Sequence, residues 1–554
     1  MRKISWVIFV SIAGCLGFGQ TPERAVKFDA ADVHASPKAL NQNLRSPAAV
    51  NGRYTVRYAT MLDLIRTAYG VDADKVLGGP SWLEMRKFDI IAKVPSDSKV
   101  DDWKPALQAL LAERFKLVVH QDTKPLPTYA LTAGKKPQLK EAEGTEAPGC
   151  KTQSNVAPST ATDNGGSTLG SVNGAPLTMT SDVALQFSCR NVTIPKLGEQ
   201  IRSMLGTSSI QSPILDRTGL KGSYSFDLRI TVQLATMLNS GTANNAITDA
   251  LEKQLGLKLE RVDVPTPVIL VDSVDEQPSD NPPGLAEAMP PIQPPAEFEV
   301  ASVKLVDPNG SPLMAMRAQP GGRFVATGIP LSILLALAFS NVGYSRLTGM
   351  PTWMSSSSVR VDVNAKAPEG IQVSTNDTDT LAPMMLSLLK DRFGLKYHSE
   401  EQQVTSYTLM AAKPKLKQSD PKSRTYCKSG VAPAGSAAAS SLITCQNISM
   451  DEFADWLLGR ASELTWPVLN GTDLDGRWDF SFTYSPIGAA LRAALAGGGV
   501  SASAAGSPAT ATDPIGGSSI FEALEKQTGL RLVAQKRPQQ MIVIDHLEQK
   551  PIEN

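Results

Sequence analysis

The sequence predicts an α+β protein of two tandem homologous domains. Each holds two half-units in the order strand-helix-strand-helix-strand-strand, with helices packed on small sheets. Three observations carry this. One ordered set of motifs occurs twice, apolar patterns of period two alternate with patterns of period 3.6, and a proline-rich segment separates the two sets.

The duplication is the strongest of the three. Ala-Leu-Glu-Lys-Gln at 250–254 returns at 523–527, each time followed by Gly-Leu. Arg114-Phe115, His120 and Tyr129 return at one offset as Arg392-Phe393, His398 and Tyr407. Trp82 matches Trp353, Pro213 matches Pro467 and Gly222 matches Gly476. Copy one is expected over residues 21–278 and copy two over 297–554. Residues 279–296, with Pro282-Pro283 and Pro290-Pro291, read as a stiff extended linker.

The elements follow in order. Residues 60–69 place Met61, Leu62, Ile65, Ala68 and Tyr69 on one helical face, with Gly70 as a stop. Tyr224, Phe226, Leu228 and Ile230 alternate with polar residues, as do Trp478, Phe480, Phe482 and Tyr484, so each set predicts a half-buried strand. In copy two the first half runs 323–327, 331–339, 359–366, 381–393, 395–399 and 406–410. Its second half runs 444–448, 450–458, 478–484, 520–527, 530–534 and 541–545. The run Met541–Ile544 suits a strand covered on both faces. Ser/Thr/Gly/Ala-rich stretches near 141–180, 429–441 and 487–518 read as mobile loops.

Residues 1–20 read as a signal peptide: Arg2-Lys3 precede an apolar run too short to span a bilayer. Residues 12–15 resemble a bacterial lipobox, which makes Cys15 a candidate lipidation site. Ordinary cleavage near Gln20 is the alternative and discards Cys15. The expected location is therefore the periplasm, the outer membrane by a lipid anchor, or the exterior. No other stretch is apolar for long enough to form a transmembrane span. Export places Cys150, Cys189, Cys427 and Cys445 in an oxidising compartment, and their matching positions predict the disulfides Cys150–Cys189 and Cys427–Cys445.

Lys+Arg and Asp+Glu stand at 54 each, so no net field recruits nucleic acid. Four histidines and the absence of a CxxC imply no metal site, and no cofactor motif occurs.

Several segments together resemble a known family: Phe298-Glu-Val-Ala-Ser-Val-Lys304, Gly321-Gly-Arg-Phe324, Gly79-Pro-Ser-Trp82, the stretch 110–117, Thr218-Gly-Leu-Lys-Gly222 and Val543-Ile-Asp545. The family is a soil-associated acidobacterial one built on a domain of unknown function. Copy one departs at Phe28-Asp-Ala-Ala-Asp-Val33, and copy two has Gly471-Thr-Asp-Leu-Asp-Gly476 where copy one has Arg217-Thr-Gly-Leu-Lys-Gly222. The half-unit resembles, more loosely, the short N-terminal domain of secretins and TonB-dependent receptors. That resemblance implies engagement of protein partners in the periplasm and carries over no catalytic residue.

Candidate ligand-binding residues are His120 and His398, each after a strand, and Arg114 and Arg392, each at a helix end. The histidines suit a general base or a metal ligand, the arginines a carboxylate of a peptide or sugar. The bland readings are a surface histidine, and an arginine bonded to its helix C-terminal carbonyls and a local ion pair. Asp272 and Asp545 close the last strands, and Asp89 and Asp362 sit on alternating strands; paired a few ångströms apart they would suit glycoside hydrolysis, while solvated strand-end carboxylates are the default. Ser419-Asp-Pro-Lys422 matches SxxK without its companions. No residue is assigned to catalysis. The expected function is a non-catalytic binding or scaffold module for an envelope protein, a peptide or a cell-wall component. Two alternatives stand beside it: an extracytoplasmic hydrolase of wall or carbohydrate polymer, and a sensory ectodomain-like protein.

Overall fold

In the computed structural model the described residues are 27–37, 44–50, 52–95, 103–134, 137–142, 147–156, 170–172, 175–177, 182–205, 213–233, 243–290, 295–306, 314–340, 342–356, 359–375, 378–433, 440–461, 464–485 and 518–552. The expected signal segment, with Cys15, lies outside them.

The described chain is α+β and holds four separate apolar cores, two in each copy. Each core lies under one four-stranded antiparallel sheet. The first sheet takes the order Ala30–Ala35, Lys87–Lys93, Arg53–Thr60, Arg45–Val50. The second takes Lys140–Glu141, Ser223–Gln233, Asp182–Thr193, Gly149–Val156. Read by position along the chain, the connectivity of the two is the same. The sheets of copy two repeat it with Val300–Leu305, Arg360–Lys366, Arg323–Pro330, Ala315–Gln319 and with Lys417–Gln418, Trp478–Tyr484, Ser441–Ile448, Tyr426–Val431.

Local chemistry explains the recurring elements. The helix Met61–Tyr69 starts at a capping box in which Thr60 accepts from the Asp63 amide and Asp63 accepts from the Thr60 amide, and it ends at Gly70 in the left-handed region. Ser449 and Glu452 make the same box before Met450–Leu457. Ahead of each first helix the strand carries a bulge whose residue has positive φ: Tyr58, Asn191, Gly328 and Asn447. The freed amide is met from the next strand by Asp89, Ser225, Asp362 and Asp479 in turn, at 2.9, 3.3, 2.7 and 2.8 Å. A buried amide left without an acceptor costs about 1–3 kcal/mol, which accounts for an acceptor at every one of these sites.

The main departure from expectation concerns the last two strands of each half. In copy two 395–399 and 406–410 are one strand, Lys396–Ala411, and 530–534 and 541–545 are one strand, Leu530–His546. Each pairs antiparallel with the other along its whole length, as Val118–Ala133 does with Leu257–Ser273 in copy one. The polar stretch between the expected strands looked like a turn because it crosses open solvent between two cores. Residues 400–403 and 535–537 there are largely exposed, and continuous ladder pairing holds them. One end of each ribbon is buried in one core and the other end in its neighbour. Ile269 and Val271 enter the first core, while Leu131 and Leu257 enter the second. Short parallel strands complete the exchange: Val76–Gly78 joins the long strand of the second half, and Leu215–Asp216 joins that of the first. Met541 and Ile544 are buried, but Ile542 and Val543 are half-exposed, so this strand is not covered on both faces.

The repeated Ala-Leu-Glu-Lys-Gln ends a helix in a π turn, Leu251–Leu255 and Leu524–Thr528, stopped by Gly256 and Gly529. Its glutamine has a structural task. The Gln254 amide donates to the Arg229 carbonyl at 2.6 Å and accepts from the Arg229 amide at 2.9 Å. Gln527 treats Thr483 the same way at 2.8 and 2.9 Å. Each glutamine thereby replaces a missing strand neighbour.

The start of the linker is not a free tether. Ser279 and Asn281 are bonded to Arg114, the turn Leu285–Ala288 lies against the first edge strand, and Met289 is buried. Apolar Met289 and the amide of Asn281 find partners on copy one, and these outweigh the extended bias of the prolines. The expected loop 141–180 likewise contains the strand Gly149–Val156, while much of the other two low-complexity stretches lies outside the described residues.

Candidate functional site at the joint between the copies

The copies meet chiefly head to tail, the first unit of copy one against the second unit of copy two, and Arg57 of copy one also pairs with Asp379 in the first unit of copy two at 3.0 Å. Met85 packs against the core of that second unit. The Thr425 amide donates to the Ser81 carbonyl at 2.9 Å, and Arg424 donates to the Gly78 carbonyl at 2.6 Å. Glu84, only 15% exposed at its side chain, sits between Lys428 at 2.7 Å and Arg424 at 3.6 Å. Burial lowers the Arg424 pKa, and Glu84 opposes that shift.

Beside this joint lies a groove of about 530 Å³, lined by residues 33–37 and 85–88, by residues 276–281 of the segment entering the linker, and by Asp455 of copy two. His34 stands at its edge. Its Nδ1 is 3.1 Å from Asp32 and its Nε2 is 3.9 Å from the Asp89 carboxylate. Asp89 is 3% exposed and accepts from the Tyr58 amide and the Ser36 hydroxyl. Asn281 completes the wall, donating to Asp32 at 2.7 Å and accepting from the Val33 amide at 3.1 Å. Lys87, on the groove floor, has its pKa lowered first by burial and then by the charge of Arg460, with Asp63 and Asp455 acting in the opposite sense. An imidazole between two carboxylates, next to a partly desolvated ammonium, can orient a polar ligand and exchange a proton with it.

The residues singled out from sequence fall elsewhere. His120 Nδ1 is 2.8 Å from Asp272, and His398 Nδ1 is 2.9 Å from Asp545, each pair about half exposed at an end of its ribbon. Hydrogen bonds that His398 donates to Asp545 and then to Glu400 raise its pKa. Neither histidine lines the groove.

Arg114 does not serve its own helix end. It is 5% exposed and donates to the carbonyls of Ala31 and Ser279 and to Asn281 at 2.7 Å, because its side chain points between the edge strand and the linker segment. Burial lowers its pKa, and Glu113, Asp32 and Asp280 oppose this. Arg392 donates to the Ala301 carbonyl, the matching position. Both arginines are strand clamps.

The sulfurs of Cys150–Cys189 and of Cys427–Cys445 are joined, each across directly opposed residues of neighbouring strands with Cα atoms 4.0 and 4.1 Å apart. Among the described residues no group of three or more His, Cys, Asp or Glu is placed to hold a metal ion. No described helix is long and apolar enough to cross a membrane.

Sequence reading passed over His34. The signal was the departure of copy one from the shared opening: where copy two has Ser302 and Lys304, copy one has Asp32 and His34. No curated protein and no solved structure matches the chain. The family model described as a protein of unknown function (DUF3738) matches residues 62–274 and again residues 332–547. The chain therefore belongs to the DUF3738 family and carries its domain twice in tandem.

Proposed function

We propose that this is an exported bacterial envelope protein that binds a protein, a peptide or a wall component without chemically altering it, and that the groove at the joint is where it binds. The observation that carries this reading is the groove's construction. Copy one, the linker and copy two each contribute to it, and an edge strand runs along its rim. Edge strands take up extended peptides through main-chain bonds, and Gln277, Ser279 and Lys87 add polar anchors. Export is supported by the charged-then-apolar N-terminal segment and by the two disulfides. The looser likeness of the half-units to the N-terminal domain of secretins and TonB-dependent receptors supports a protein partner.

The test is titration of the purified full chain with a panel of extended peptides and wall-glycan fragments, read by amide hydrogen exchange. Protection confined to residues 33–37 and 276–281 by at least one member, and lost in Gln277→Trp, is expected. Protection elsewhere only, or none across the panel, contradicts the reading.

His34 favours a second reading, that of a hydrolase using His34 with Asp32 as its base. It expects turnover of a bound fragment that His34→Ala abolishes while groove protection persists. Binding without turnover in the native chain removes it.

A further inference from the structure

The two disulfides occupy matching positions, yet only one of them adjoins the joint. Cys427 lies in the edge strand Tyr426–Val431, and within three residues of it stand Arg424, Thr425 and Lys428, which bond Gly78, Ser81 and Glu84 of copy one. Cys427 is half-buried and Cys445 buried, as Cys150 and Cys189 are in turn, so the two disulfides differ in what their edge strands touch and not in burial. In copy one the places of Arg424 and Thr425 are taken by Ala147 and Pro148, and a proline has no amide proton to give.

We propose that the Cys427–Cys445 disulfide is a redox latch on the joint between the two copies, and that Cys150–Cys189 is not. The co-reactant is a dithiol. Its thiolate attacks Cys427 Sγ, the bond to Cys445 breaks, and the Cys445 thiolate takes up a proton. The second thiol of the reductant then displaces Cys427, which leaves two protein thiols and an oxidised dithiol. With the link gone, the edge strand is held to its sheet by backbone pairing and by the side-chain bonds of Thr425 and Tyr426, without a covalent tie. Its local opening becomes on the order of a hundredfold more frequent, as the chain-entropy cost of the released loop predicts. Each opening withdraws the partners of Gly78, Ser81 and Glu84, so the joint loosens with it. This goes beyond the binding reading and does not depend on what the groove holds.

The test is amide hydrogen exchange on the full chain. In the double variant Cys427→Ser, Cys445→Ser, exchange in residues 78–85 is expected to rise at least tenfold, and in Cys150→Ser, Cys189→Ser it is expected to stay at the native level. If the first variant does not fold, the same segment is followed in the native protein treated with a dithiol. Arg424→Ala in the oxidised protein is expected to raise exchange in residues 78–85 as well. Unchanged exchange after loss of Cys427–Cys445, or an equal rise when Cys150–Cys189 is removed, overturns the latch.

Discussion

The same sheet meets different surroundings in the two copies. In copy one the face around Asp89 is roofed by the segment entering the linker and by copy two, and Asp89 is 3% exposed. In copy two the matching Asp362 is exposed, although it caps the same bulge. Copy one carries Asp32 and His34 on the roofed edge strand, whereas copy two carries Ser302 and Lys304 on the open one. Duplication supplied two equal frames, and the docking of one copy on the other made them unequal. A head-to-tail contact can in principle repeat without end. Here the donors at Arg424 and Thr425 are replaced in copy one by Ala147 and Pro148, so that unit lacks the matching donors.

The largest expected effect separates two glycines that both stand after a helix. A Cβ at Gly529 would run into the Lys413 carbonyl, while one at Gly394 meets only the His546 and Glu548 side chains, at 3.6 and 3.7 Å. Gly529→Ala is expected to destabilise by about 3 kcal/mol or more, and Gly394→Ala by about 1 kcal/mol from backbone strain alone. Denaturant melts of the two variants read the difference.

Arg114→Ala leaves the Ala31 and Ser279 carbonyls and Asn281 without their donor and is expected to cost roughly 2–3 kcal/mol. Proteolysis should then enter residues 279–289 first. Arg392→Ala, at a half-buried position, should cost less. Equal losses would mean that the linker clamp adds nothing to copy one.

A smaller effect, and a gain, is expected at Lys116. It holds φ 51° where the other three units have Gly256, Gly394 and Gly529. Lys116→Gly should raise stability by up to about 1 kcal/mol, measurable as a rise in Tm.

The smallest effect is the pH response of the second ribbon. Because the folded pKa of His398 is raised, its pair with Asp545 stabilises fully below the unfolded histidine value near ~6.5, and that contribution is lost as pH rises through the folded value. His398→Gln should therefore lower Tm at pH 5 by more than at pH 8, relative to the native chain.

Much of this frame was legible in residues. Trp478–Tyr484 forms the strand its alternation announced, and Thr60, Asp63 and Gly70 bound their helix as their chemistry requires. The ribbons were not legible, because residues such as Glu400–Gln403 are polar on both faces. Their strand state comes from a partner some 140 residues away. The groove was hidden for a related reason: Asn281 reaches the strand of Asp32 from 249 residues away, and Asp455 joins the wall only when copy two docks. Arg114 was placed at the correct helix end but assigned the wrong partners, since its acceptors lie 83 residues before it and 165 and 167 residues after it in the chain.

The docking of the copies can be tested in one step by zero-length carbodiimide cross-linking of the full chain, read by peptide mass spectrometry. The 2.7 Å pair of Glu84 with Lys428 predicts a linked peptide joining those residues, alongside the Glu299–Lys366 link within copy two as the internal control. Recovery of the Glu299–Lys366 link without Glu84–Lys428 would contradict the head-to-tail joint.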